Sequence, residues 1–437
     1  MGRESPVLRF GRLMNPESNN NAQDAPPGPS PRMAYLLSSY PAISHTFFLN
    51  EIVALRKLGF TIDVASINRP AWPSGLASAL EANALETTFY VKATRPTRIL
   101  LTLLRIVFTN PRVLARGLRA ALQLDGWNLP ASGYALFYLG EALLLGDWLR
   151  KHGHSHLHIH FGGPVATVGM LASVAWKFSY SLMIHGPEEF YDVEKFYLRR
   201  KVERARFVLC ISDYCLSQVM KVSDPAHWKK LHVVRLGVDL KVFAPVAPRD
   251  RGGNLEIICV GRFVPAKGHI ILLRAIAELL RRGYKLQLRL IGDGEERARM
   301  ESFVAQERLT DSVIFEGALN HQATRRRLAQ ADIFVLASFA EGLPIALMEA
   351  MAMEIPCIST FVAGIPELLR DQLDGLLVPA SSEQSLCAAL VRFISDREFR
   401  RAVASSGRSR VQEFYDLKTN VSILANTLRR CLSECHQ

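Results

Sequence analysis

The sequence has no apolar run long enough to span a membrane. Its longest such stretch, residues 99–108, is interrupted by Arg105 and falls short of the roughly 20 residues that a transmembrane helix requires. The amino terminus has no hydrophobic signal segment, and Ser5 stands one position too early for the myristoylation pattern. We therefore expect no transmembrane span, and these residues indicate neither secretion nor a lipid anchor.

The sequence also lacks paired cysteines and the common metal and dinucleotide motifs. Its seven cysteines form no C-x-x-C pair, which predicts reduced thiols in a cytosolic protein. The alternating histidines of residues 152–160 come without an H-E-x-x-H motif or a carboxylate or cysteine at ligand spacing, so we expect no metal site. Arg297 stands where the third glycine of G-x-G-x-x-G would follow Gly292 and Gly294, so the dinucleotide fingerprint is not met.

Acidic residues are absent from residues 92–119, which carry seven basic residues at intervals among apolar ones. The spacing predicts an amphipathic helical pair that is broken at Pro111. Such a pair can lie on an anionic membrane surface, or it can pack its apolar side on its own domain and leave the arginines solvated. The residues alone leave both readings open.

Length and charge bound the remaining choices. A chain of 437 residues is too long for one core and predicts two domains. The formal charge of +12 predicts attraction to nucleic acid, acidic lipid headgroups or phosphate-bearing substrates, without choosing between them.

Strand-like and helix-like patterns alternate along most of the chain, which predicts an α/β protein with parallel sheets. In the first half we expect the strands to end with residues 207–212. In the second half the pattern is doubly wound, and the predicted strands cover residues 255–260, 286–291, 313–316, 333–336 and 356–359. The predicted units are a disordered tail (1–31), an N-terminal domain (32–240), a linker (241–254), a C-terminal domain (255–412) and closing helices (413–437).

Two stretches of the second half carry the chemistry. Residues 261–268 follow a predicted strand, so Arg262 and Lys267 lie in a strand-to-helix loop that is suited to holding phosphates. Residues 341–349 follow another strand and open a helix, with Pro344 at the first helical position. Glu341 is then in the loop and Glu349 about a turn and a half into the helix, so one carboxylate can address a sugar and the other a ribose.

These motifs resemble those of the retaining GT-B glycosyltransferases of family 4, and in particular the exopolysaccharide and colanic-acid type of group 1 enzymes. The shared features are G-R-x(4)-K-G over residues 261–268, E-x(7)-E over residues 341–349 and the E-A-M-A run that begins at Glu349. Three segments of the first half are also similar: the Y-P-x-x-S-H-T-F loop with Ser44 and His45, H-F-G-G with Gly162 and Gly163, and H-G-P-E-E-F with His185 and Glu188. His45 stands where those relatives usually have Glu.

The resemblance implies a GT-B fold, in which two Rossmann-like domains face each other across a cleft and the last helices cross back to the first domain. It implies a retaining hexosyltransferase that uses a UDP- or GDP-linked sugar, a saccharide or polyprenyl-linked acceptor, and neither a metal nor another cofactor. The resemblance further implies a location in the cytoplasm or at the cytoplasmic face of the membrane, and a role in cell-surface glycan synthesis.

The resemblance also implies a role for each matching residue. Arg262 and Lys267 would stabilise the leaving phosphates, and His185 would lie beside the transferred sugar. Glu341 and the amides of Gly342 and Leu343 would bind the sugar or phosphate oxygens, and Glu349 would bind the ribose. The acceptor side of the cleft would include Ser44, His45, Gly162, Gly163 and Glu188.

Two other functions stay open at this point. A GT-B nucleotide-sugar epimerase or phosphorylase would share the fold and change the chemistry. A basic nucleic-acid-binding module would need stacking aromatics on its basic face, and residues 92–119 offer only Phe108. We therefore expect no nucleic-acid partner.

Overall fold

The computed structural model describes residues 31–42, 46–72, 77–93, 96–125, 129–246 and 255–433. The predicted tail, the residues Ser44 and His45, and most of the predicted linker lie outside these ranges. Within them, the structure contains two parallel sheets, one in each half of the chain.

The N-terminal sheet has the strand order β3-β2-β1-β4-β5-β6-β7 within the described residues. Its strands are β1 (Arg32–Ser39), β2 (Thr61–Asn68), β3 (Phe89–Tyr90), β4 (His156–His160), β5 (Ser179–Ile184), β6 (Val208–Cys210) and β7 (Leu231–Val233). The expectation that residues 207–212 form the last strand of this half was wrong, because β7 pairs with β6 at the sheet edge. A three-residue edge strand contributes too little periodicity to be recognised in a sequence.

Helices cover the faces of this sheet, so its central strands are buried. They are α1 (Thr46–Lys57), α2 (Ala79–Thr87), α3 (Pro96–Thr109), α4 (Pro111–Asp125), α5 (Leu129–Lys151), α6 (Pro164–Trp176), α7 (Leu198–Arg204) and α8 (Asp213–Val222). Even the histidines of β4 are buried. His156 and His158 tolerate this position because each places a ring nitrogen within hydrogen-bond distance of the Ser181 hydroxyl on β5.

The C-terminal sheet repeats the same winding in the order β10-β9-β8-β11-β12-β13 among the described strands. These are β8 (Leu255–Val260), β9 (Leu286–Ile291), β10 (Val313–Gly317), β11 (Ile333–Leu336), β12 (Cys357–Thr360) and β13 (Leu376–Val378). The predicted bounds of β8, β9 and β11 are confirmed. The short edge strand β13 was missed for the same reason as β7.

The C-terminal half is closed by eight described helices. They are α9 (His269–Arg281), α10 (Arg297–Gln306), α11 (His321–Leu328), α12 (Ile345–Ala352), α13 (Ile365–Leu368), α14 (Glu383–Ser395), α15 (Arg397–Phe414) and α16 (Leu417–Ser433). α12 begins one residue later than expected, with Pro344 as its N-cap in extended backbone. α15 packs on α12, whereas α16 packs on α1 of the N-terminal half.

In both sheets the order in which strands are added reverses at the centre, between β1 and β4 in one and between β8 and β11 in the other. At such a switch point the loops on either side part, and the crevice at the carboxyl ends of the strands is where α/β folds bind ligands. The fold therefore predicts a ligand site at the loops that follow β1, β4 and β5 in one half, and β8, β11 and β12 in the other.

The basic segment of residues 92–119 forms α3 and α4, and several of its cations turn inward. Arg105 lies 2.6 Å from Asp147, Lys92 lies 3.4 Å from Glu141, and Arg116 donates to the Ala175 carbonyl. α3 nevertheless leaves Leu101 and Phe108 exposed. No described helix combines the length and apolar character that a membrane span needs.

Candidate active site

The loops after β8 and β11 bring a lysine and a glutamate into contact. Lys267 ends a single 3-10 turn, and its ammonium lies 2.5 Å from the Glu341 carboxylate. Ser338 donates a second hydrogen bond to the same oxygen at 2.7 Å. Gly268 permits this approach because its φ is +60° and a Cβ there would lie 2.2 Å from the Ala337 carbonyl. The two predicted donor-binding loops therefore meet at the switch point of the C-terminal sheet.

The second carboxylate of the predicted E-x(7)-E pair, Glu349, is buried on α12. Its partner is His321 at the start of α11, whose Nε2 lies 3.3 Å from Glu349 Oε1. This hydrogen bond raises the pKa of His321 above its ordinary value, against the opposing effect of partial burial. The two glutamates thus have different partners, a lysine for Glu341 and a histidine for Glu349.

Arg262 lies on the open side of this loop. Its side chain is about half exposed, and a guanidinium nitrogen is 3.7 Å from the Glu188 carboxylate of the N-terminal half. Since both side chains are exposed, this ion pair is screened by water and is worth little for stability. Arg262 and Glu188 therefore face each other from opposite sides of the cleft between the two halves of the chain.

The loop after β5 forms the wall of the cleft that belongs to the N-terminal half. Buried side chains hold the backbone of this loop in place. The Glu189 carboxylate accepts hydrogen bonds from the backbone N–H groups of Gly162, His185 and Gly186. Lys201 donates to the carbonyls of Gly162 and Gly163, both at 2.8 Å. Burial raises the pKa of Glu189 to about 7, while the three N–H donors oppose that rise. The loops after β4 and β5 are therefore held together by two buried charged side chains.

The two walls touch at Gly342. A Cβ at this position would lie 1.8 Å from the His185 carbonyl oxygen, so only glycine allows the loops to pack this closely. Gly364, in the loop after β12, packs just as tightly on the Gly342 carbonyl. His185, Gly342 and the Lys267–Glu341 pair thus line one continuous cleft.

The structure sorts the predicted residues by position. It brings His185, Glu188, Arg262, Lys267, Glu341, Gly342, Leu343 and Glu349 to the loops around this cleft. Gly163 caps α6 with space around it, whereas Gly162 is buried and both of its backbone polar groups are bonded, so it supports the cleft from beneath.

Sequence reasoning missed four residues of this region: Glu189, Lys201, His321 and Ser338. Glu189 stood inside a recognised motif, but nothing local indicates that its carboxylate turns inward. The other three lie outside the motifs altogether. Ser212 caps α8 by accepting from the Cys215 N–H.

Metal-ligating side chains do not cluster in the part of the chain that the structure describes: no three His, Cys, Asp or Glu residues come together there in an arrangement suited to a metal ion. The six described cysteines are buried and form no disulfide with one another.

Known proteins that are similar to this chain in sequence are glycosyltransferases. Residues 246–410 match the family described as Glycosyl transferases group 1. WcaL of Escherichia coli, named for colanic acid biosynthesis, is 26% identical over 91% of this chain and 99% of its own length. The amylovoran biosynthesis glycosyltransferase AmsK of Erwinia amylovora is 23% identical over the same shares.

Solved structures are similar in fold. Sucrose-phosphate synthase from Thermosynechococcus elongatus superimposes with a TM-score of 0.69 at 20% identity, covering 92% of this chain and 100% of its own. Anabaena HepE, solved in complex with UDP-glucose, gives a TM-score of 0.69 at 16% identity, covering 91% and 99%. The chain therefore has the GT-B fold and carries a group 1 glycosyltransferase domain.

Proposed function

We propose that this protein transfers a sugar from a UDP- or GDP-linked donor to a hydroxyl of a saccharide or lipid-linked acceptor, with retention of the anomeric configuration. The observation that carries the proposal is that Lys267 and Glu341 are paired at the switch point of the C-terminal sheet, next to the His185 loop, with Glu349 on the helix that follows. Two carboxylates, a fixed cation and a histidine around one cleft fit a neutral sugar that is joined to a diphosphate.

Breaking the bond between the sugar and the nucleotide places negative charge on the leaving phosphate. Arg262 and Lys267 supply positive charge from one loop, and preorganised charges of this kind contribute most when water is excluded. Glu341 already holds Lys267 in place before a donor binds. We propose that these two cations do the work that a metal ion does in other transferases, so that the reaction needs no metal or other cofactor.

The carboxylates and amides would recognise the neutral parts of the donor. Glu349 accepts hydrogen bonds from the ribose hydroxyls, and Glu341 from hydroxyls of the transferred sugar. The Gly342 and Leu343 amides add donors close to the start of α12. For retention, the leaving phosphate takes the proton of the attacking hydroxyl on the same face of the sugar, assisted by His185 or Glu188. No enzyme nucleophile is required.

The names of relatives support the biological setting. WcaL and AmsK are named for the synthesis of two exopolysaccharides, colanic acid and amylovoran, and each is covered over 99% of its length. HepE has been solved with UDP and glucose and with UDP-glucose. We therefore place this protein in the synthesis of an exopolysaccharide or another cell-surface glycan.

The decisive experiment measures donor-dependent transfer by purified protein. UDP-, GDP- and ADP-linked sugars, labelled in the sugar, are incubated with lipid and saccharide extracts, and the anomeric configuration of the product is read by NMR. We expect one donor to give a labelled α-linked product from an α-linked donor. Epimerised donor without transfer, or an inverted product, would contradict the proposal.

We further propose that α3 and α4 rest on the anionic cytoplasmic surface of a membrane. α3 exposes Leu100, Leu101, Leu104, Val107 and Phe108, the last at 81% exposure, and α4 exposes Arg112 and Arg119. Apolar side chains that insert beside basic ones fit an anionic interface, where each cation adds about 1 kcal/mol.

Sedimentation with lipid vesicles tests this contact. Wild-type protein should pellet with vesicles that contain anionic lipid and stay in solution with purely zwitterionic ones. Phe108→Asp should abolish pelleting because it places a charge in the inserted surface. Leu373→Asp, which alters an exposed leucine of the C-terminal half, should pellet like the wild type. Equal pelleting of both variants would contradict the membrane contact.

A further inference from the structure

A row of buried polar side chains leads from the core of the N-terminal half to the cleft. Tyr35 on β1 donates to Glu51 Oε1 on α1 at 2.9 Å. The same oxygen lies 3.5 Å from His160 Nε2 on β4, and His160 Nδ1 lies 2.9 Å from His185 Nε2. Tyr35 and His160 are fully buried, and Glu51 and His185 are less than a tenth exposed. Nothing in the function proposed above uses Tyr35, Glu51 or His160.

The order of these atoms favours one placement of the protons. The 3.5 Å between Glu51 Oε1 and His160 Nε2 is an ion-pair distance rather than a hydrogen bond, and the negative charge of the carboxylate favours a proton on that nitrogen. A neutral imidazole carries one N–H, which leaves His160 Nδ1 as an acceptor. The proton between the two rings must then belong to His185 Nε2. The remaining nitrogen of His185, Nδ1, is therefore the one without a proton.

We propose that Glu51 is a positioning residue, which acts through His160 to hold His185 in the Nε2–H tautomer and so keeps its Nδ1 as a proton acceptor for a substrate hydroxyl. This inference rests on the proposed function for the claim that His185 meets a substrate. It also explains how His185 could take up a proton, because the resulting positive charge would be balanced by Glu51 through His160.

The surroundings strengthen the coupling between these groups. Phe48 packs against the rings of both His160 and His185, and Phe161 packs against His185, so little water separates the charges. Further ionisable groups beside the two histidines include, among the described residues, Tyr35 on β1, His158 on β4 and Glu189, which accepts the His185 backbone N–H. Burial and the neighbouring histidines lower the pKa of His158, which keeps that ring neutral.

Imidazole 15N NMR of the full chain tests the proposal without an activity assay. At about pH 8.5, where an ordinary histidine is neutral, the wild-type spectrum should show His185 protonated on Nε2. In Glu51→Leu no acceptor remains for either group, because Tyr35 and His160 face the same oxygen of Glu51. The preference for a proton on His160 Nε2 is then lost, and His185 should no longer be held in the Nε2–H tautomer.

A matched pair elsewhere in the same domain provides the control. Asp63 on β2 contacts His154 at 2.6 Å, another carboxylate–histidine pair that lies away from the cleft. Asp63→Asn should change the His154 signals and leave those of His185 unaltered. With donor and acceptor, Glu51→Leu should lower the transfer rate by roughly tenfold or more, Glu51→Asp should recover part of it, and Asp63→Asn should match the wild type.

Two results would overturn the inference. One is a wild-type spectrum with His185 protonated on Nδ1, which decides the matter even if Glu51→Leu fails to fold. The other is an unchanged His185 tautomer in folded Glu51→Leu. Absence of transfer by the wild type with every donor would instead contradict the proposed function, since the tautomer comparison alone decides the role of Glu51.

Discussion

His321 is the residue that holds the buried carboxylate of Glu349. Its imidazole gains a hydrogen bond from the contact, and the pKa of His321 is raised for that reason. The additional stability that the charged pair gives to the folded protein requires a protonated His321. Its contribution is complete below the unfolded-state pKa near 6.5 and is lost as the pH rises through the higher folded-state pKa.

We therefore predict that His321→Gln destabilises the protein more in acid than in base. Urea unfolding of wild type and variant at about pH 5.5 and about pH 9 measures the difference, because the former lies below and the latter above an ordinary histidine pKa. Glu81 and Arg325 also act on His321, in opposite directions. If the loss of unfolding free energy in His321→Gln were larger at about pH 9 than at about pH 5.5, His321 and Glu349 would not form a charged pair.

The positions of the candidate residues were predictable where the chain itself carries a signal, whereas their roles stay predictions. Arg262, Lys267 and Glu341 lie in loops that follow strands of one sheet, and Glu349 lies on the helix after the second loop. His321 and Ser338 could not be found this way. Their importance comes from which side chains they meet after folding, and a lone histidine or serine in a loop is common in any sequence.

At the scale of the element, the loops after β4 and β5 depend on Glu189. Its carboxylate accepts hydrogen bonds from three backbone N–H groups, and Lys201 donates to two carbonyls of the neighbouring loop. Because the group is buried, water cannot replace these bonds if the carboxylate is lost.

We predict that Glu189→Gln lowers the free energy of unfolding by about 1–3 kcal/mol, the usual cost of an unsatisfied buried donor. The glutamine has one acceptor oxygen, and its N–H₂ group faces a backbone N–H instead of accepting from it. Urea denaturation at about pH 6 and about pH 8, on either side of the pKa near 7, measures the loss. Because the raised pKa means that ionisation of the buried carboxyl costs the folded wild type stability, the loss in the variant should be larger at the lower pH. Glu188→Gln, at a largely exposed position in the same loop, should unfold like the wild type. Equal stability of both variants would contradict this role of Glu189.

Element prediction succeeded for the long, buried strands and failed at the edges. β8, β9 and β11 are apolar runs bounded by loops, and their predicted limits agree with the structure. β7 and β13 have three residues each, so their existence depends on a neighbour to pair with rather than on any pattern of their own.

At the scale of the whole molecule, the contact between the two walls rests on one glycine. Gly342 lies against the His185 carbonyl with no room for a side chain. The family resemblance gave the two domains and their order, but a contact between loops so far apart in sequence follows only from how the domains are oriented.

We predict that Gly342→Ala reduces sugar transfer by at least about tenfold, because the added methyl group forces the walls apart and misplaces the reacting groups. The rate of transfer and the circular dichroism spectrum should be measured together, since the secondary structure should be preserved. Gly140→Ala, on α5 with open space around its Cβ, is the matched control and should transfer at the wild-type rate. Full activity in Gly342→Ala would mean that the walls need not meet there.

The proposed function requires the C-terminal half to bind a nucleotide diphosphate through Lys267. Calorimetric titration of UDP and GDP into purified protein tests this binding without knowledge of the acceptor. The variant is Lys267→Gln, which keeps a hydrogen-bond donor for Glu341 and removes the charge. The control is Lys285→Ala, an exposed lysine at the opposite end of the same sheet. We predict that wild type and Lys285→Ala bind one nucleotide alike and that Lys267→Gln binds it roughly 10- to 100-fold more weakly. Equal affinity in all three proteins, or no binding of either nucleotide by the wild type, would contradict the account.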